Sequence, residues 1–182
     1  AVLGMTENPD TIIVCNGYKD KEFLELALLA TKMGKKIFIV AEKLNELKMM
    51  VKLSKEHNVS PNIGIRIKLA AFGSGKWEES GGDKSKFGLT PMEIVEAVEF
   101  MKNENMLDSI KLIHCHLGSQ ITNIRKIKHG LKEASQFFVQ LSKLGCHIEY
   151  VDIGGGLGVD YDGTRTTIAS SINYSVQEYA ND

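Results

Sequence analysis

A chain of 182 residues, 43% hydrophobic and 25% charged, is long enough to bury a core and reads as one soluble, globular domain. A net charge of -1 argues against nucleic acid or a membrane surface as the main partner, and no apolar run approaches the ~20 residues of a spanning helix. The three cysteines, Cys15, Cys115 and Cys146, form no CxxC and suggest no disulfide framework, so a reducing cytoplasm is the expected compartment.

The first strand is expected at Thr11-Ile12-Ile13-Val14-Cys15, a β-branched run closed by the turn signal Asn16-Gly17. A helix follows from about Asp20 to Met33, capped by Asp20 and ended by Gly34, with Phe23, Leu26, Ala27, Ala30 and Met33 as its apolar stripe. Lys36 to Ala41 is a second strand. Leu44 to His57 is a second helix with Leu44, Leu47, Val51 and Ser54 near one face. Ile63 to Lys68 is a third strand, and Thr90-Pro91-Met92-Glu93 opens a third helix with Thr cap, Pro first and Glu third. A fourth strand holds Leu112-Ile113-His114-Cys115-His116, and a long helix covers about Ile124 to Leu144. The fifth strand, His147 to Val151, leads into Asp152-Ile153-Gly154-Gly155-Gly156-Leu157-Gly158. Ser175-Val176-Gln177-Glu178 resembles another capping box. The chain starts on Ala and stops inside that last helix, which suggests a piece of a longer protein.

Strands alternating with helices imply a parallel sheet with helices packed outside it. An open doubly wound sheet and a (β/α)8 barrel compete. Polar residues stand at every strand's C-terminal end: Asn16, Glu42, Arg66 with Lys68, His116 and Asp152. A barrel gathers all such ends on one active face, whereas an open sheet concentrates its site at one switch point. An incomplete TIM-type barrel is therefore expected. The segment from Ala70 to Leu89 is a long irregular loop of the kind that is functional or mobile.

Four glycines in the five positions Gly154 to Gly158 strip side chains from a strand end. They serve either an anion approached by backbone N–H groups or a tight turn with positive φ. Alternation puts His114 and His116 on one face, His116 at the mouth and His114 a layer below. They could be a metal pair, a ring stacked on a flat cofactor, or two satisfied histidines; no carboxylate or cysteine falls at a metal-ligand spacing. Ser119, next to Gly118, could bind phosphate. Arg66 and Lys68 share a face and need either a carboxylate partner or an anionic ligand. Gly73-Ser74-Gly75-Lys76 imitates a P-loop but has Ala70 for its first glycine and Trp77 after the lysine. Lys86 reads as a solvated loop lysine. Cys115 faces the helix layer and reads as core.

In order, Ile65-Arg66-Ile67, Ser85-Lys86-Phe87-Gly88, His116-Leu117-Gly118-Ser119 and Asp152-Ile153-Gly154-Gly155-Gly156 resemble the barrel domain of the fold-type III pyridoxal-phosphate (PLP) decarboxylases. Val14 to Asp20, Gly73 to Trp77, Gly81 to Leu89, His116 to Gln120, Gly154 to Arg165, Asn173-Tyr174 and Glu178 to Asn181 are similar to the arginine-specific biosynthetic branch of bacteria. The resemblance covers nearly the whole chain. It implies that residues 1–182 are part of one alanine-racemase-like PLP-binding barrel. It implies PLP as cofactor, magnesium as a further ion with no ligand assigned, and arginine decarboxylation to agmatine in polyamine synthesis. His116 resembles the histidine stacked on the pyridine ring. Ser119 with Gly154, Gly155 and Gly156 resembles the phosphate cradle, and Arg66 the arginine beside the phenolic oxygen. Val151, Asp152, Ile153, Gly154, Gly155, Gly156, Leu157, Gly158, Val159, Asp160 and Tyr161 resemble the lining of the substrate pocket.

By the same resemblance the Schiff-base lysine would precede this stretch. The acid partner of the pyridine nitrogen, the proton-donating cysteine and a β-domain would follow it, and the isolated stretch is expected to be inactive. A small-molecule amino-acid substrate is the expected partner, with no nucleic acid and no membrane, and the full-length protein is expected to be a homo-oligomer. Alternatives are a decarboxylase of ornithine or diaminopimelate, a non-catalytic PLP-binding barrel, or an unrelated phosphate-binding barrel using His116 with Asp152 as an acid/base pair.

Overall fold

Each strand pairs in parallel with the strand next to it in sequence, in the order β1-β2-β3-β4-β5. The strands are β1 (Ile12–Cys15), β2 (Lys36–Ala41), β3 (Asn62–Arg66), β4 (Ile110–His114) and β5 (Tyr150–Asp152). An order that never reverses is the wall of a barrel; a doubly wound sheet would turn back at a switch point. The computed structural model describes residues 2–6, 8, 10–69, 87–160 and 172–181, and these form a five-strand half-barrel.

The helices are α1 (Val2–Met5), α2 (Lys21–Lys32), α3 (Leu44–His57), α4 (Pro91–Asn103), α5 (Ile124–Lys143) and α6 (Val176–Asn181). Local chemistry sets their ends. Asp20 accepts from Phe23 N (2.8 Å) to start α2, and Asn58 ends α3 in a left-handed turn (φ 51°). Thr90 and Glu93 form the expected capping box of α4, and Ser175 with Glu178 does the same for α6.

Several boundaries and faces differ from expectation. The buried face of α2 is Leu24, Ala27, Leu28 and Ala30, whereas Phe23, Leu26 and Met33 are exposed. The run Phe23-Leu24-Glu25-Leu26-Ala27-Leu28-Leu29 carries two overlapping apolar stripes, and packing against β2 and α3 selects one. β5 starts at Tyr150 rather than His147, because its register is set by Leu112↔Tyr150 and His114↔Asp152. β4 is shifted back to Ile110–His114, after a 3-10 turn at Leu107–Ser109. β3 likewise begins at Asn62 and ends at Arg66. The helix α1 has no counterpart in the sequence reading.

The sheet has two distinct faces. Outward, Ile37, Ile39, Ala41, Ile63, Ile65, Ile67, Ile113 and Cys115 are buried under helix residues such as Leu28, Leu47, Met50, Ala97 and Met101. At about 1.5–3 kcal/mol for each fully buried Ile or Leu, this layer dominates the stability of the half-barrel. Inward, a small apolar layer of Phe38, Val40 and Leu112 packs with Tyr150. Gly64 belongs to it: a Cβ there would stand 2.8 Å from Leu112 Cδ2 and 3.0 Å from Val40 Cγ2. Towards the strand N-termini, Lys36 Nζ donates to Tyr150 Oη at 2.7 Å. Towards the C-terminal ends the inner face turns polar.

Candidate cofactor site at the strand ends

Glu42, the residue after β2, continues the inner face of Phe38 and Val40 and is buried. Its Oε1 accepts from Arg66 Nη1 at 2.6 Å and from Gly17 N at 3.2 Å. Arg66 therefore has the carboxylate partner that its inward position demands, and its guanidinium lies 5.4 Å from the Phe87 ring centre. Behind them Glu46 Oε2 accepts from Glu42 N at 2.8 Å and pairs with the buried Lys19 at 3.5 Å. Lys19 Nζ also donates to Gly17 O. This network fixes the loop after β1 to β2, α3 and Arg66. Lys68 lies past the strand end, half-buried, with its N–H on Leu89 O.

His114 and His116 share the inner face as alternation requires. His114 is buried, with Nδ1 2.9 Å from Asp152 Oδ2 and Nε2 2.9 Å from Asn16 Nδ2. His116, two residues on, is half-buried at the mouth. Burial, then the charge of Arg66 and then His114, pushes its pKa below the usual imidazole value, so the ring is neutral at neutral pH. The hydrogen bond from His114, with the Gly154 N–H, holds the Asp152 carboxyl below its usual range. Asp152 thus pairs with His114, and the acid/base pair of His116 with Asp152 weighed from the sequence is not formed. Cys115 faces the helices as expected, and burial pushes its thiol up to about 12, which removes it as a nucleophile.

The glycine cluster forms the tight turn. Gly154 (φ 69°) and Gly156 (φ 100°) have positive φ, and a Cβ on them would stand 2.7 Å from Cys115 O and 1.9 Å from Gly118 O. The turn is therefore packed directly on the backbone leaving β4. Gly154 N is taken by Asp152 Oδ1 at 2.8 Å. No hydrogen bond within the described residues occupies the N–H groups of Gly155 and Gly156, and a Cβ on Gly155 meets nothing within 4 Å. Ser119 is exposed beside Gly156. Gln120 Nε2 donates to Val159 O (2.6 Å) while its Oε1 accepts from Val159 N (3.0 Å). Tyr174 Oη accepts from Gly158 N (3.0 Å) and donates to Ile121 O (2.6 Å). The loops after β4 and β5 are thereby joined.

A phosphorylated pyridine aldehyde needs N–H and hydroxyl donors for its phosphate, a flat uncharged face for its ring and a cation for its phenolic oxygen. The N–H groups of Gly155 and Gly156, the Ser119 hydroxyl, neutral His116 and Arg66 fit these needs. Of the expected pocket lining, Val151, Leu157 and Val159 are exposed and Ile153 is half-buried, while Tyr161 lies outside the described residues. So do Gly73 to Lys76, Ser85, Lys86 and Asp162 to Arg165. Among the described residues no group of three His, Cys, Asp or Glu side chains is placed to hold a metal ion, and no helix is long and apolar enough to cross a membrane.

The order of strands is that of a barrel wall. The pyridoxal binding domain of the pyridoxal-dependent decarboxylases matches residues 1–182, and the chain belongs to that family. Within it, the chain is 63% identical over 183 residues to the biosynthetic arginine decarboxylase of Bacteroides thetaiotaomicron, covering 100% of this chain and 29% of the relative. It is 62% identical to that of Phocaeicola vulgatus with the same coverage. The crystal structure of the biosynthetic arginine decarboxylase of Campylobacter jejuni superposes with a TM-score of 0.82 at 37% identity, over 96% of this chain and 27% of that one. The chain thus spans under a third of the length of these relatives.

Three parts of the site escaped the sequence reading: Glu42 as the partner of Arg66, Asn16 as the partner of His114, and the buried Lys19. Glu42 could have been found, because it shares the even-numbered face of β2 with Phe38 and Val40. The Asn16 contact joins positions 98 residues apart, and no local pattern encodes it.

Proposed function

We propose that this chain holds the PLP site of an arginine decarboxylase that releases carbon dioxide from arginine to give agmatine for polyamine synthesis. The observation that carries the reading is the 63% identity to a biosynthetic arginine decarboxylase across the whole chain, together with a glycine turn beside Ser119 in which two N–H groups have no partner among the described residues. PLP, when bound, supplies the electron sink into which the carboxylate's bonding pair passes as carbon dioxide leaves.

The chain's own residues bind and orient. Gly155, Gly156 and Ser119 hold the phosphate, with Gly154 shaping the turn. His116 offers an uncharged ring face, so its contact with a cationic pyridine carries no repulsion. Arg66 presents its cation at the phenolic oxygen, and Glu42 keeps it extended across the inner face. Val151 to Asp160 line the substrate side. A cytoplasmic homo-oligomer, with magnesium as a further ion, completes the proposal on family resemblance.

The test uses the full-length protein loaded with PLP. Carbon dioxide release is measured from arginine, ornithine, lysine and diaminopimelate, with the visible absorption of the cofactor recorded before and after borohydride. Arginine is expected to be the preferred substrate. Cofactor binding without release from arginine overturns the assignment of substrate, and the absence of cofactor absorption overturns the site itself.

A further inference from the structure

We propose that His114 is a positioning residue of this site. It acts through Asp152 to set the glycine turn, as the middle of a one-way hydrogen-bond chain that begins at Asn16. The inference rests on the reading of the turn as the phosphate cradle.

The direction of the chain follows from its members. The amide nitrogen of Asn16 can only donate, so His114 Nε2, at 2.9 Å, accepts. The Asp152 carboxylate, held ionised, can only accept, so His114 Nδ1, at 2.9 Å, donates. The ring is therefore neutral, with its proton on Nδ1. Asp152 then uses its second oxygen to accept from Gly154 N at 2.8 Å. One carboxylate is fixed by β4 at one atom and fixes the first glycine of the turn with the other. The next two N–H groups, those of Gly155 and Gly156, are left as donors. His114 is 3% exposed and both its nitrogens are occupied, so it acts on a ligand only through Asp152. The chain links the ends of β1, β4 and β5, three strands whose ends must hold one geometry for the cradle to keep its shape.

A histidine that merely fills the core would be insensitive to the direction of these bonds, and this separates the two roles. In the full-length protein, Asp152→Asn can keep Gly154 but then presents an amide donor to Nδ1–H. If the ring proton moves to Nε2, the Asn16 amide must also turn to offer its oxygen, and the charged acceptor of Nδ1–H is lost either way. The PLP dissociation constant is expected to rise about ten-fold, the worth of one charged hydrogen bond. The double variant Asn16→Asp with Asp152→Asn reverses both bonds of the His114 ring, leaves Gly154 N–H donating to the side-chain oxygen of residue 152, and satisfies all three. Affinity is expected to return to within about three-fold of the parent, and the side-chain nitrogen NMR spectrum of His114 to show the proton moved from Nδ1 to Nε2.

A parent spectrum with the proton on Nε2 overturns the proposal whether or not the variants fold. So does a folded Asp152→Asn protein that binds PLP as the parent does, or a folded double variant that recovers nothing. A parent protein that fails to bind PLP instead removes the underlying reading of the site, which keeps the two failures apart.

Discussion

Gly156 and Gly155 are neighbours with opposite surroundings, and the contrast tests the packing of the turn. A Cβ at Gly156 would stand 1.9 Å from Gly118 O and 2.8 Å from Gly118 C, on a backbone with φ of 100°. Carbon–oxygen contacts settle near 3.3–3.6 Å, so Gly156→Ala must push the loops after β4 and β5 apart by more than about 1 Å. The backbone strain is about 1–3 kcal/mol for a side-chain-bearing residue in this region. Separation also stretches the 2.8 Å bond from Ile121 N to Gly156 O, worth about 1 kcal/mol. The expected loss is about 2–4 kcal/mol. Gly155→Ala meets nothing within 4 Å and has no positive φ, so its cost should stay within about 0.5 kcal/mol. Urea unfolding of both variants beside the parent, compared by midpoint at constant slope, measures the difference. Equal costs, or a larger one at Gly155, would refute the close approach of the two loops.

Three further outcomes follow from the same geometry. Glu42→Ala strands the nearly buried Arg66 without its carboxylate and should lower unfolding free energy by about 3 kcal/mol, whereas Glu96→Ala, at the exposed Lys48 pair, should change it by less than about 1 kcal/mol; urea midpoints again decide. His116 has a native pKa below its ordinary 6.5, so the unfolded chain takes up the proton first: its contribution to stability is complete above pH 6.5 and is lost as pH falls through the lower native value, and His116→Gln should flatten that part of the stability–pH curve. Alkylation of the native protein followed by mass spectrometry should modify the half-buried Cys15 first and leave Cys115 and Cys146, with thiols pushed up to about 12 and about 11, until unfolding.

What was legible in the sequence was periodic or local. Caps at Asp20, Thr90 and Ser175 are three-residue patterns, and all of them form. Alternation put His114 and His116 on one face, and glycines at Gly154 and Gly156 announced a turn that side chains could not enter. The stripe of α2 was misread because Phe23 and Leu26 fit a helical period as well as Leu24 and Leu28 do, and only β2 and α3 choose between them. The alternative that pairs Asp152 with His116 fails for a related reason. Position along a strand says which residues share a face, but the register of Asp152 opposite His114 is a property of the sheet.

Gln120 performs with its side chain what the backbone does elsewhere in this sheet. Its amide reaches both the N–H and the carbonyl of Val159, the same reciprocal pairing that one peptide group offers another. Strand pairing made by main chain tolerates nearly any residue, since the bonding groups never change. Here, at the rim where the loops after β4 and β5 meet, the pairing is written in a replaceable side chain. Glutamate has no donor for the Val159 carbonyl, asparagine is a methylene shorter, and only glutamine has both the reach and the two-way chemistry. Beside the main-chain bond from Ile121 N to Gly156 O and the bonds of Tyr174 Oη, this clasp is the part of the join that one substitution adjusts without disturbing the strands below.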